Sequence, residues 1–157
     1  MNPSIIIEQV AVTDIRLINL VDELNTFFMD EWGEEVNDSY SNHHQLDSMK
    51  EAYIALLNEI PIGCACWKER SDGKPEIKRM YVKSDYRGTN TAKELLKTVE
   101  KSILSLGFNS VVLETGKDML QAIRFYEKQG YEVIPNFGEF VGDDLCICLE
   151  KKLIKNH

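Results

Sequence analysis

The sequence predicts one α+β domain over residues 1–157, and three observations carry that expectation. Segments with helical and strand periodicity are mixed along the chain instead of being segregated into halves. Two of the helical segments stop at a glycine, Gly107 and Gly130. With 157 residues, 43% of them hydrophobic, the chain is of a size to bury one core.

Residues 4–12 alternate weakly and read as a first strand. Thr13 or Asp14 then caps a helix with apolar positions Ile15, Ile18, Val21 and Phe28, fading near Trp32-Gly33. The polar stretch "GEEVNDSYSNHHQLDSM" has room for one short helix. "AYIALLNEIPIGCACWKE" reads as two strands about a tight turn at Asn58-Glu59, and "SDGKP" as a second turn leading to the strand "EIKRMYV". Ala92, Leu95, Leu96, Val99, Ile103 and Leu106 recur at three and four, so a helix runs there to Gly107. "SVVLE" is a buried strand. Asp118 and Gln121 fit a capping-box variant opening "MLQAIRFYEKQ", and the strands "YEVI" and "LCICLEKKL" close the chain around the loop "PNFGEFVGDD".

A net charge of −8 argues against non-specific nucleic-acid or anionic-membrane binding. The opening "MNPSIIIEQVAV" lacks a cationic flank, and no apolar run approaches the roughly 20 residues of a bilayer span. A soluble cytoplasmic protein is therefore expected. Cys64 with Cys66, and Cys146 with Cys148, form C-x-C pairs inside apolar strands. With Ala65 and Ile147 between them in place of turn residues, buried thiols are expected and no metal.

The chemistry-bearing stretch is "RMYVKSDYRGTNTAKELL", a strand that passes through a polar elbow into a helix. Such an elbow leaves backbone N–H groups unpaired beside the positive end of a helix dipole, an anion site. From Lys74 to Lys101 the chain carries eight basic and four acidic residues, so positive charge gathers there within an acidic protein. Neither a Walker loop nor a dinucleotide fingerprint is present.

Arg87-Gly88-Thr89-Asn90-Thr91-Ala92 resembles the acyl-coenzyme-A loop of the GCN5-related N-acetyltransferases (GNAT family), Q/R-x-x-G-x-G/A, departing only at Asn90. Ala122, Tyr126, Gly130 and Tyr131 resemble that family's second signature, and "GYEVIPNFGEFVGDDLCICLEKKL" resembles the two-strand ending of a bacterial branch. The resemblance implies a mixed, mostly antiparallel sheet of about six to seven strands with about four helices, splayed between strands 4 and 5. It implies an acetyl-CoA-dependent N-acetyltransferase, with acetyl-CoA as co-substrate and a small-molecule or peptide amine as acceptor, and it is compatible with a homodimer.

Residue by residue, it assigns Met80, Tyr81 and Val82 to the pantetheine and Arg87, Gly88, Thr89, Asn90, Thr91 and Ala92 to the pyrophosphate. A backbone N–H near Val82 is the implied oxyanion donor, and Tyr126 the acid that protonates the leaving thiolate. Glu76, eleven residues before Arg87, matches a catalytic glutamate of the histone-acetylating branch. The alternatives are a salt bridge with its basic neighbours, or proton loss directly to water. Asn90 is expected at positive φ, as the non-glycine best able to replace the central glycine. Where relatives often carry Asn, this chain has Met119, with Lys117 or the backbone of Gly116 as substitutes. Asp30, Glu31, Glu34, Glu35, Asp38, Glu139, Asp143 and Asp144 suggest an acidic acceptor rim suited to a cationic amine, and His43 and His44 read as exposed loop residues. The competing reading is a non-catalytic acyl-CoA-binding module, with Asn90 and Met119 as marks of decay.

Overall fold

The computed structural model describes residues 4–32 and 46–154. Ten main elements follow one another in the expected order: β1 (Ile5–Val10), α1 (Ile15–Trp32), β2 (Glu51–Leu57), β3 (Ile60–Glu69), β4 (Pro75–Val82), α2 (Thr91–Ser105), β5 (Ser110–Gly116), α3 (Leu120–Lys128), β6 (Glu132–Ile134) and β7 (Cys146–Lys152). Short 3-10 turns occupy Leu46–Ser48, Ser84–Tyr86 and Gly138–Phe140. The first of these is all that is described of the short helix allowed between Trp32 and Met49. Among the described residues no helix is long and apolar enough to cross a membrane. The chain divides into two compact units, residues 1–68 with 78–99 and residues 69–77 with 100–157, so that β4 and α2 each contribute to both.

In the first unit the strands lie in the order β1-β2-β3-β4. β1 and β2 pair antiparallel from Ile5↔Leu57 to Val10↔Ala52, and β2 turns into β3 through Asn58 and Glu59, both at positive φ (50° and 68°). That is the backbone a two-residue hairpin with the right-handed strand twist requires. α1 covers one face, where Leu17, Leu20 and Val21 pack on Ala52, Ile54, Cys64 and Cys66. On the other face, Leu95 of α2 and the side chain of Val82 approach Gly63.

Asp14, one of the two proposed caps, does cap α1: its Oδ1 accepts from the Arg16 N–H at 2.9 Å. Hydrogen bonding from Arg16 holds the Asp14 carboxyl below its ordinary range. The expected buried stripe of α1 is corrected. Ile15 is 65% exposed and Ile18 only half-buried, whereas Leu17, Leu20, Val21 and Leu24 are buried. Val21 lies on the true stripe as expected, but about the helix axis Ile18 stands about 100° and Ile15 about 160° from Leu17. The side chain of Phe28 lies outside the described residues.

In the second unit the order is β4-β5-β7-β6. β5 and β7 pair antiparallel from Ser110↔Lys152 to Gly116↔Cys146, and β7 pairs antiparallel with β6. β4 joins β5 in parallel at only two registered pairs, Glu76↔Val112 and Ile77↔Leu113. α3 ends at Gly130 (φ 99°), where Tyr131 donates to the Tyr126 carbonyl and Gly130 to the Glu127 carbonyl, the paired bonds of a Schellman stop. Its start is not the capping box expected of Asp118 and Gln121. Met119 occupies the cap position with no side-chain cap, so Asp118 stands one residue too early, inside a tight turn in which the Met119 N–H meets the Gly116 carbonyl and the Leu120 N–H the Asp118 carbonyl.

All four cysteines are free and buried. Burial pushes the Cys66 thiol up to about 12 and that of Cys148 to about 11. Native protein is expected to leave a thiol reagent such as 5,5′-dithiobis(2-nitrobenzoate) uncoloured at neutral pH, and to titrate all four thiols once unfolded in urea. Rapid native-state reaction of any thiol would contradict the packing described.

Candidate active site

β4 contains an unusual stretch of backbone. Arg79, in mid-strand, has φ 57°. An L-residue of this bulk costs about 1–3 kcal/mol to hold there. Its Nη1 donates to Asn25 Oδ1 at 2.7 Å, and its carbonyl accepts from Cys64 Sγ at 3.3 Å. Burial pushes the guanidinium down to about 10, against a smaller opposing pull from the Cys66 and Cys64 thiols.

Beyond Arg79, the Lys83 N–H donates to the Ile62 carbonyl of β3 at 2.9 Å. Successive strand residues direct their N–H groups to opposite edges. The N–H groups of Val82 and Met80 are therefore directed away from β3. Gly63 permits the close approach of β3 to this strand end, since a Cβ there would lie 2.8 Å from the Tyr81 carbonyl oxygen.

The elbow follows directly. Tyr86 donates to the Lys83 carbonyl and Arg87 to the Ser84 carbonyl at 3.3 Å, closing the 3-10 turn, and Gly88 reverses the chain at φ 83°. The Thr89 hydroxyl bonds the Tyr86 carbonyl and, at 2.7 Å, the hydroxyl of buried Thr91. α2 begins with the Glu94 N–H on the Asn90 carbonyl. The N–H groups of Gly88, Thr89, Asn90, Ala92 and Lys93 have no partner among the described residues. These are unpartnered donors beside a helix start, the feature an anion site requires; Lys93 adds to the expected set, whereas the Arg87 N–H is engaged by Ser84 and the Thr91 N–H by the Thr89 hydroxyl at 3.4 Å.

Two expectations need adjustment. Asn90 does not have positive φ; within the elbow only Gly88 does. The reason is that Asn90 is the cap of α2, a position whose backbone lies outside the helical and left-handed regions. The Arg87 side chain turns back, with Nε donating to the Val82 carbonyl at 3.2 Å and the guanidinium 6.0 Å from the Phe27 ring centre. Nearby, the Tyr81 hydroxyl donates to Glu23 at 3.2 Å and Lys83 pairs with the same carboxylate at 3.4 Å. Burial and then Glu23 raise the Tyr81 phenol above its ordinary value.

The second unit holds the two proposed catalytic side chains. Tyr126 is 7% exposed and meets Tyr131 edge-on at 5.6 Å. Burial first, and Glu114 second, push its phenol above the ordinary range, so it stays protonated at neutral pH. Glu76 is 1% exposed and accepts from Arg70 Nη1 at 2.8 Å. Arg70 also bonds Glu139 at 3.2 Å and lies 4.2 Å over the Phe137 ring. Glu76 is thus an ion-pair partner, and the partner shown is Arg70, a residue that no sequence signal singles out. Of the acidic rim, Glu139 is tied to Arg70, Asp143 Oδ1 accepts the Leu145 N–H at 2.8 Å, and Asp144 is exposed. The side chains of Asp30 and Glu31, and residues Glu34, Glu35, Asp38, His43 and His44, lie outside the described residues. The Lys117 N–H is engaged by the Leu145 carbonyl, and Met119 Sδ accepts a weak contact from the Thr115 hydroxyl.

A family model described as the Acetyltransferase (GNAT) family matches residues 17–131. The chain belongs to the GNAT acetyltransferase family. The IAA acetyltransferase of Azospirillum brasilense is 28% identical over 158 residues, covering 96% of this chain and 99% of the relative. The PaiA N-acetyltransferase of Thermoplasma acidophilum, solved with coenzyme A, matches with TM-score 0.74 at 21% identity over 95% of this chain and 99% of that one. A GNAT acetyltransferase of Elizabethkingia anophelis, solved with acetyl-CoA, matches with TM-score 0.69 at 20% identity over 95% and 98%. The GNAT fold is the one implied by the motifs: seven strands among the described residues, antiparallel at β1-β2, β2-β3, β5-β7 and β6-β7 and parallel where β4 meets β5. Three α-helices are present among the described residues, where about four were expected.

Removing the Glu76 carboxylate leaves a buried guanidinium short of a partner. Glu76→Ala is expected to cost about 3 kcal/mol in urea unfolding, and Glu76→Gln, which keeps an acceptor, clearly less. Equal stability of Glu76→Ala and the parent would refute the pairing.

Proposed function

We propose that the protein is an acetyl-CoA-dependent N-acetyltransferase that moves the acetyl group to a primary amine, small-molecule or peptide, by direct attack. The observation that carries this reading is the set of unpartnered N–H groups at Gly88, Thr89, Asn90, Ala92 and Lys93, at the end of a strand whose Val82 N–H is directed away from β3, in a GNAT chain. A diphosphate fits that loop by charge and by donor number.

In this reading the loop N–H groups hold the pyrophosphate, with Arg87, Gly88, Thr89, Asn90, Thr91 and Ala92 shaping the elbow. Met80, Tyr81 and Val82 offer backbone groups to the pantetheine amides. Acetyl-CoA supplies an activated thioester. The Val82 N–H stabilises the oxyanion that forms when the neutral amine attacks, a contribution on the order of 10²–10³ in kcat for one such donor. Tyr126, held protonated by its surroundings, gives its proton to the departing thiolate and recovers one from solvent. The amine proton leaves to water, because the Glu76 carboxylate is committed to Arg70.

The test is release of free thiol from acetyl-CoA with a panel of polyamines, aminoglycosides, lysine peptides and neutral amines. Amine-dependent release supports the reading; tight acetyl-CoA binding without release from any amine would favour the non-catalytic module. Tyr126→Phe is expected to lower kcat by about 10²-fold with little change in acetyl-CoA affinity. An unchanged kcat would remove Tyr126 from the mechanism.

A further inference from the structure

A residue in a sparsely populated backbone region stays there only when its surroundings over-determine it. At Arg79 several of the restraints can be named. The chain before it is fixed by the parallel pairs Glu76↔Val112 and Ile77↔Leu113, and the chain after it by the Lys83 bond to Ile62. The Arg79 carbonyl accepts the Cys64 thiol, and the guanidinium is tied to Asn25 by the 2.7 Å bond. Asn25 follows buried Leu24 on α1, so its side chain is carried by a helix locked into the core through Leu17, Leu20, Val21 and Leu24.

We infer that Asn25 is a positioning residue: by anchoring the Arg79 guanidinium to α1, it fixes the left-handed peptide that directs the Met80 and Val82 N–H groups away from β3. The physical lever is the two-residue period of a strand. A left-handed residue resets the alternation, so its relaxation to extended geometry would swing the groups that follow toward the opposite edge. Asn25 itself touches no reacting atom. What the redirected groups bind, the pantetheine arm, rests on the acetyl-CoA reading above; the anchoring does not. The elbow N–H groups from Gly88 to Lys93 are set by Gly88 and the start of α2, independently of Asn25.

That separation supplies the test. Coenzyme A and 3′-phospho-ADP, which lacks the pantetheine arm, are titrated calorimetrically into the parent, Asn25→Ala and Asn25→Asp proteins. Asn25→Ala is expected to weaken coenzyme A about ten-fold, the loss of one hydrogen bond to a charged group, and to leave 3′-phospho-ADP unchanged. Asn25→Asp, whose carboxylate accepts the same bond, restores coenzyme A affinity. Equal weakening of both ligands, no weakening of either, or failure of Asp to rescue would overturn the inference. As a second variant pair, Arg79→Gly tolerates positive φ without an anchor and is expected to retain coenzyme A better than Arg79→Ala. If the parent binds neither ligand, the acetyl-CoA reading is the one that fails. Amide hydrogen exchange at Met80–Val82 then decides the anchoring: about ten-fold faster exchange in Asn25→Ala supports it, and unchanged exchange refutes it.

Discussion

Holding a bulky residue at positive φ inside a strand costs about 1–3 kcal/mol, and this chain bears that cost at Arg79. Much of the site geometry follows from it. The ladder to β5 ends at Ile77, two residues before the distortion, while the bond from Lys83 to Ile62 keeps the far side on β3. Between those points the strand has backbone groups directed away from β3. Gly63 lies against the Tyr81 carbonyl, so β3 reaches the distorted segment without a clash. The strand around it is charged as well as bent, with Glu76, Lys78 and Arg79 all buried. Glu76 shows how such charges are tolerated: it meets a guanidinium at 2.8 Å, and that guanidinium is shared with Glu139.

In the proposed reading, recognition through backbone groups relaxes the demands on side chains in the elbow. Its left-handed residue is Gly88, and Asn90 is free to act as a helix cap. The substitution that looked like a defect in a family motif therefore leaves the donor row intact, because an N–H is offered by any residue other than proline. The charge pattern points the same way. Net positive charge gathers from Lys74 to Lys101 within a protein of −8, which favours a phosphorylated ligand without making the whole surface attractive to polyanions.

The order of elements was legible because it rests on local signals: the three-four spacing of Leu95, Leu96, Val99 and Ile103, the glycine stops at Gly107 and Gly130, and the turn at Asn58-Glu59. The elbow was legible for the same reason, being a turn and a helix start. What was misread depends on tertiary context. Isoleucines at positions 15 and 18 look as apolar as the leucines at 17 and 20, and only packing on β2 and β3 selects the stripe. Asp118 has the composition of a cap but stands one residue before the cap position, which Met119 fills. Nothing in "EIKRMYV" marks Arg79 as left-handed, because restraints on it come from as far as Asn25 and Cys64, 54 and 15 residues away. The partner of Glu76 depends on tertiary context as well: Arg70, six residues earlier and across a turn, holds its carboxylate at 2.8 Å.

Amide-resolved NMR during titration with coenzyme A bears most directly on the claim that distorted β4 and the elbow bind through backbone N–H groups. The largest amide shifts are expected at Val82 and at Gly88, Thr89, Asn90, Ala92 and Lys93, with Lys83, already bonded to Ile62, moving little. Saturable binding whose largest shifts fall outside β4 and the elbow, with Val82 and Gly88 unmoved, would contradict it.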